Sequence, residues 1–454
     1  MGSPTTQLWF ETALLPGGWA DQVRVQVNAG RIAEVVTGSP PQAGDERHAI
    51  GIPGLCNVHS HGFQRGMAGL TERRGRPHDD FWSWREVMYR FLDRLDPDDI
   101  AAITAQACVE MLETGYTRLG EFHYLHNAPD GQPYVHRAET AAAVVEAARM
   151  AGIGLTLLPV FYAHGDFGGA PPTPGQRRFL SDLDGFARLL DESEELLGKD
   201  EAIGVAPHSL RAVTPEELRE LIALRPGAPV HIHAAEQVKE VEASVAALGA
   251  RPVEWLLEHA GVDSRWCLVH ATHLTEAEAD ALAASGAVAG LCPVTEANLG
   301  DGIFPAIRYL AAGGRIATGT DSNVQIDPAA ELRALEYSQR LAHRARGCLA
   351  TEQAPSVGGR LFRAAGEGGA QALGTTFGLA VGNGADIVSL NAEHPSLIGR
   401  SGDALLDGWI FGANRPAVDC VWRAGLNVVR GGVHLARGDV ARRYRETLGK
   451  LLAA

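Results

Sequence analysis

Eight short apolar runs, each ending in polar residues, constrain this chain more than any other feature. They lie at 55–58, 117–120, 154–161, 202–206, 229–232, 266–269, 287–291 and 315–317. Amphipathic stretches with helical spacing separate most of them, at 98–114, 138–151, 215–224, 238–248 and 276–284. A short continuous apolar run reads as a strand buried on both faces, and strands alternating with helices build a parallel sheet. Thr214-Pro215-Glu216-Glu217 reads as a helix start with proline in the first turn. Eight such units over roughly 330 residues predict an α/β fold, a (β/α)8 TIM-like barrel whose functional groups sit at the C-terminal strand ends.

The chain ends follow a different rule. Residues 7–15 and 23–36 alternate in β fashion around an Asn28-Ala29-Gly30 turn, and 385–390 and 419–429 are β-rich before Gly431-Gly432. Both termini are therefore expected to form one small β-sandwich module, residues 1–52 plus 382–454 with a C-terminal tail. The barrel takes residues 53–381. Two insertions, 62–97 after the first barrel strand and 165–200 after the third, are expected to shape or cover a pocket. No repeat of solenoid length is visible.

Composition excludes several classes. Of 454 residues, 45% are hydrophobic and 21% charged, which is the composition of a globular chain and not of a disordered one. No run is long enough to span a membrane. The net charge of −15 argues against general affinity for nucleic-acid phosphates, so the expected partner is a small molecule, with neither nucleic acid nor membrane. The N-terminus lacks a basic flank and an apolar core, and the six cysteines form no CxxC pair. A reduced, cytoplasmic protein is expected, and a homodimer, the commonest soluble assembly.

The polar residues at the strand ends carry the chemistry. His59-Ser60-His61 places two imidazoles on one face of a strand end, a pattern that suits a divalent metal but also occurs structurally. His231-Ile232-His233-Ala234-Ala235-Glu236 ends the fifth run, His270 the sixth and Thr320-Asp321 the eighth. Four polar termini on runs already read as strands favour a metal centre over the structural reading. His231 points into the barrel below His233 and is read as a satisfied interior residue. His273, His123 and His126 are given no ligand role.

On these motifs the sequence resembles the amidohydrolase superfamily of metal-dependent hydrolases, over nearly the whole chain. The order HxH, HxxE, His, Asp is similar to that of its deaminase branch. The resemblance implies that His59, His61, His233 and Asp321 are metal ligands and that Glu236, His270 and Asp321 do the acid–base work. Two-metal relatives bridge their ions with a lysine after the fourth strand. Here that segment reads Gly204-Val205-Ala206-Pro207-His208-Ser209, and the three lysines of the chain lie elsewhere. One ion per subunit is expected, zinc first and iron(II) second, since three nitrogens and one carboxylate oxygen suit either. Such a cation lowers the pKa of a coordinated water toward about 7. The hydroxide attacks a C=N carbon while Glu236 passes a proton to nitrogen, which requires a raised pKa.

A finer resemblance is to the formimidoylglutamate deiminase family, which converts N-formimino-L-glutamate and water into N-formyl-L-glutamate and ammonia in histidine degradation. It rests on His59-Ser60-His61-Gly62-Phe63-Gln64-Arg65-Gly66, Phe81-Trp82-Ser83-Trp84-Arg85, Gly120-Glu121-Phe122-His123-Tyr124-Leu125-His126 and Pro207-His208-Ser209-Leu210-Arg211. It implies substrate contacts from Gln64, Arg85, Tyr124, His208 and Arg211. Two arginines on separate segments suit a substrate with two carboxylates, because each guanidinium can grip a carboxylate with paired hydrogen bonds. Read from the residues alone, Arg211 could be a surface arginine and His208 a structural histidine. Trp82 and Trp84 suit either helix packing or stacking on a ring. The alternative is a deaminase of the same superfamily acting on a guanine-like or other cyclic amidine.

Overall fold

The computed structural model describes residues 6–72 and 81–453. The start of the N-terminal segment and residues 73–80 of the 62–97 insertion lie outside the described residues. Eight parallel strands form the barrel. They are Leu55–Ser60, Tyr116–His123, Gly154–Phe161, Ala202–Ile203 continued by Ala206–Pro207, Val230–Ala234, Trp266–His270, Val288–Leu291 and Arg315–Thr318. Two hydrogen-bonded runs of strands are joined by bridges between Val205 and Val230 and between Ser209 and His233. A bridge between Ser60 and Asp321 closes the ring. The first and third strands are buried at every residue, as their continuous apolar runs require.

The fourth strand departs from the single run expected over 202–206. It pairs as two short pieces on either side of Gly204, where a Cβ would lie 2.8 Å from the Pro229 carbonyl oxygen. This close approach interrupts the ladder while keeping the chain on course. The helices start where their caps dictate. Asp96 caps Pro97–Thr114, and the Thr214–Glu217 and Thr275–Glu278 capping boxes open Pro215–Leu224 and Glu276–Ser285.

Strands from both chain ends form one continuous path of eight. Its order is Val433–His434, Leu426–Arg430, Val418–Arg423, Ile387–Leu390, Glu46–Pro53, Thr6–Leu15, Gly18–Asn28 and Arg31–Val36. The termini meet where Glu46–Pro53 pairs antiparallel with Ile387–Leu390. Leu8, Phe10, Val25, Ile387 and Trp422 share one small core, so strands far apart in the path face each other across a sandwich. The tail of the 382–454 segment is a helix, Arg437–Ala453, that lies against the barrel helix Pro97–Thr114. There Lys450 pairs with Asp96 and Asp99 at 2.8 and 3.0 Å. Among the described residues no helix is long and apolar enough to cross a membrane. All six cysteines are free thiols, and five are buried.

Candidate active site

The barrel delivers four candidate ligands to one point from three strands. His59 lies next to last in the first strand and His61 follows it. His233 lies in the fifth, and Asp321 follows the eighth. The Nε2 atoms of His59 and His233 are 3.1 Å apart. Asp321 Oδ1 lies 3.3 Å from His61 Nε2 and 3.6 Å from His59 Nε2. The other ring nitrogens explain the orientation. His61 Nδ1 donates to the Phe122 carbonyl at 2.9 Å and His233 Nδ1 to the His208 carbonyl at 3.0 Å. A proton held at Nδ1 leaves the Nε2 lone pair facing the cluster.

Burial keeps these rings neutral. It pulls His59 down to about 3 and holds His61 and His233 below the ordinary histidine value. Burial works against an ionised Asp321, but its polar contact with His59 and the charge of His270 outweigh it and hold the carboxyl below its usual range. Three neutral imidazoles, two of them with lone pairs turned inward by their Nδ1 bonds, and one carboxylate are the donor set of a borderline divalent cation. The residues present therefore fit such an ion.

His270 and Glu236 stand beside this cluster. His270 Nε2 is 3.7 Å from Asp321 Oδ2 and 3.9 Å from Glu236 Oε1. Its Nδ1 meets Glu296 Oε1 at 3.2 Å. Burial disfavours a charged His270, but Glu236, Glu296 and Asp321 override it and raise the group to about 10. Burial raises Glu236 to about 7, against the opposing pull of His270.

The backbone at these strand ends is unusual. Among the described residues, five of the nine non-glycine positions with left-handed φ are Ala235, His270, Ala271, Asp321 and Asn323. Each costs of order 1 kcal/mol and persists only where surrounding structure imposes it. Asn323 is one of the imposing groups. Its amide donates to Ser60 Oγ, the His61 carbonyl and the Asp321 carbonyl, while accepting from Thr320 Oγ1 at 2.6 Å. The first and eighth strand ends are thereby locked together.

A pocket opens above the cluster. His61, His233, Glu236, His270 and Asp321 line its floor, and Gln64, Arg85, Tyr124, His208 and Arg211 line its walls. His59 lies beneath, fully buried. Gln64 Nε2 donates to the Tyr124 hydroxyl at 2.9 Å, while Gln64 Oε1 is buried with no partner. His208 Nδ1 meets Ser209 Oγ at 3.0 Å. Arg211 is 6% exposed and its Nε has no partner. Arg85 stacks over the Trp82 ring at 4.4 Å, with Arg211 at 5.7 Å from the same ring. Trp84 of the aromatic helix Phe81–Leu92 packs on the core and reaches the pocket lining, and Trp82 backs the arginines.

All eleven residues expected around the reaction centre and substrate, His59 beneath and ten others on the lining, come together. Sequence reasoning missed Glu296, Tyr162 and Phe179. Tyr162 follows the third strand, a position that could have marked it, whereas Phe179 arrives from the 165–200 insertion. Glu296 sits in the short helix Pro293–Leu299 after the seventh strand, whose end carries no motif. The histidines set aside are occupied elsewhere. His231 meets the Ala372 carbonyl, His273 the Asp301 carbonyl, His123 Thr140, and His126 the Val160 carbonyl.

A family profile described as the amidohydrolase family matches residues 50–428, most of the chain. The chain belongs to the amidohydrolase family. Residues 5–49 match a second profile, the N-terminal domain of formimidoylglutamate deiminase HutF. The chain is 48% identical over 98% of its length to a formimidoylglutamate deiminase from Pseudomonas aeruginosa, covering 99% of that protein. It thus falls with the formimidoylglutamate deiminases of this amidohydrolase family. Among solved structures, an amidohydrolase from Brucella melitensis superposes with a TM-score of 0.95 at 51% identity, covering 98% of this chain and 100% of that one. An adenosine deaminase from Xanthomonas campestris with bound zinc superposes with a TM-score of 0.81 at 23% identity over 99% of each chain. That likeness speaks to the fold alone.

Proposed function

We propose that this amidohydrolase hydrolyses N-formimino-L-glutamate to N-formyl-L-glutamate and ammonia, with one zinc ion per chain held by His59, His61, His233 and Asp321. One observation carries the reading. A single pocket joins the cation-binding cluster to two arginines on different segments, Arg85 and Arg211. The substrate has a formimino group at one end and two carboxylates at the other. The high identity to the Pseudomonas enzyme over both chains points the same way.

When bound, the cation lowers the pKa of water and makes a nucleophile available near neutrality. The protein does the rest. Arg85 and Arg211 grip the carboxylates and set the length of substrate that reaches the floor. Gln64, with its free carbonyl oxygen, and Tyr124 and His208 bind the polar stem near the reacting carbon. Asp321 takes a proton from water as it attacks the C=N carbon, and His270, held charged beside it by the surrounding carboxylates, orients the attack and stabilises the negative charge that develops on oxygen. Glu236 gives one proton to the imino nitrogen as the carbon–oxygen bond forms and takes the remaining hydroxyl proton as the carbonyl forms, while the proton held on Asp321 passes to the leaving nitrogen, so both protons of water depart with ammonia. The carbon–oxygen bond forms, the carbon–nitrogen bond breaks, and ammonia leaves with the formyl group behind it. A Glu236 poised at about 7 suits both taking and giving that proton.

Ammonia release from N-formimino-L-glutamate, measured beside guanine and adenosine on metal-analysed protein, tests the reading. Turnover of the formimino substrate alone is expected, with one zinc per chain. Glu236→Gln should lower kcat by about 10² or more and keep its metal. Ammonia from a purine and none from the formimino compound would overturn the assignment.

A further inference from the structure

We infer that Glu240 is a positioning residue for the turn that presents Glu236. The fifth barrel strand ends at Ala234, and the next helix begins at Val238. Between them the chain reverses through Ala235, whose φ of 51° is left-handed in a residue with a Cβ. Glu236 follows directly, so its direction depends on how firmly that turn is held. Glu240 holds it. Its Oε2 accepts the Glu236 backbone N–H at 3.0 Å and its Oε1 accepts that of Ala235 at 3.3 Å.

The arrangement differs from an ordinary helix start. Gln237 occupies the N-cap and makes no side-chain cap bond. An acid in the first helical turn usually reaches back to the N-cap backbone N–H. Glu240 instead reaches further back, past the cap, to the two residues before it. It is 2% exposed, so both oxygens are committed in a dry environment where charge-assisted bonds are strong. The positive end of the helix dipole favours the carboxylate at this place. Other contacts brace the outer side of the same turn. Ala271 N–H donates to the Ala234 carbonyl and His273 N–H to the Ala235 carbonyl, both at 3.0 Å. Those bonds hold the carbonyls, and Glu240 holds the amides. Without Glu240 the Ala235 turn loses the acceptor that offsets its strain, and Glu236 loses its aim.

The test uses the full-length, zinc-loaded chain with Glu240→Ala and Glu240→Gln. Hydrogen–deuterium exchange in a peptide spanning 234–240 is expected to quicken about tenfold or more in Glu240→Ala, with the strand at 266–270 unchanged. In the same protein kcat should fall about 10²-fold, as a misplacement near 1 Å costs, with a smaller rise in KM because Glu240 also faces Arg211, and one zinc retained. Glu240→Gln keeps one oxygen acceptor and should fall between the two. It also serves if the alanine variant does not fold. Unchanged exchange at 234–240 in both variants would overturn the role, as would a loss of kcat matched by loss of zinc. The kinetic arm rests on the deiminase reading, but the exchange arm does not. Wild-type protein that releases no ammonia from the formimino substrate sinks that reading while leaving the Glu240 result readable.

Discussion

Arg211 shows how much one side chain can be asked to do. It brings a positive charge into a pocket wall where burial works against it and where Glu240 and Glu236 sustain it. Its Nε is left without a partner, which is costly unless a ligand completes it. A substrate carboxylate is the completing group in the proposed reaction. Arg211→Met should therefore raise KM about 10²-fold, in line with the 2 kcal/mol or more that a buried charged pair carries. Zinc content should stay unchanged, because Arg211 stands apart from the four ligands. Steady-state kinetics with metal analysis decides the matter, and an unchanged KM would remove Arg211 from the substrate site.

At the scale of elements, the site depends on how closely the eighth strand approaches the first. Gly319 sits between Thr318 and the Thr320-Asp321 pair, and its N–H donates to Leu291 of the seventh strand at 2.8 Å. A Cβ at this position would lie 2.7 Å from the His59 carbonyl oxygen and 2.8 Å from His59 Cβ, with backbone on one side and a ligand side chain on the other. Neither can yield cheaply. Gly319→Ala should push the two strand ends apart at a cost of about 1–3 kcal/mol. The consequence belongs to the metal centre, since His59 and Asp321 sit on opposite sides of the seam. Zinc affinity, measured by competition with a coloured chelator, should weaken about tenfold or more. Affinity equal to that of the wild type would show that the seam adapts without moving its ligands.

For the molecule as a whole, the proposed ligand set would be a tie across the barrel. His59 and His61 come from the first strand, His233 from the fifth and Asp321 from the eighth, so an ion bound to all four stabilises only the closed ring. An ion present at 100 times its Kd adds about 2.7 kcal/mol to the folded state. At about 2–4 °C per kcal/mol for a large domain, chelation should lower Tm by several degrees, and added zinc should restore it. Differential scanning fluorimetry with and without chelator measures this directly. Equal Tm values for protein shown to have lost its metal would mean that the barrel closes without help. The Arg437–Ala453 helix adds a second tie, joining the terminal module to the barrel through Lys450 and through the Tyr444 hydroxyl at the Arg65 carbonyl.

The amino-acid sequence by itself determined the barrel, the sandwich at the termini and the residues that meet in the pocket. Short apolar runs alternating with amphipathic helical stretches are satisfied by strands buried on both faces, and strand ends are the places where a barrel exposes polar groups to one another. His59, His61, His233, Glu236, His270 and Asp321 were legible because each terminates such a run. The arginines on the pocket wall were legible only through the resemblance, since Arg85 on an aromatic helix looks like any surface cation until the fold turns it inward. Tertiary structure alone decided what braces these groups. Glu296 behind His270, Glu240 beneath the Ala235 turn and Asn323 across the first and eighth strand ends act through hydrogen bonds between segments far apart in the chain, or through a left-handed backbone that no residue type announces. Periodicity records which face a residue buries. It carries no record of which distant amide or imidazole that face will meet.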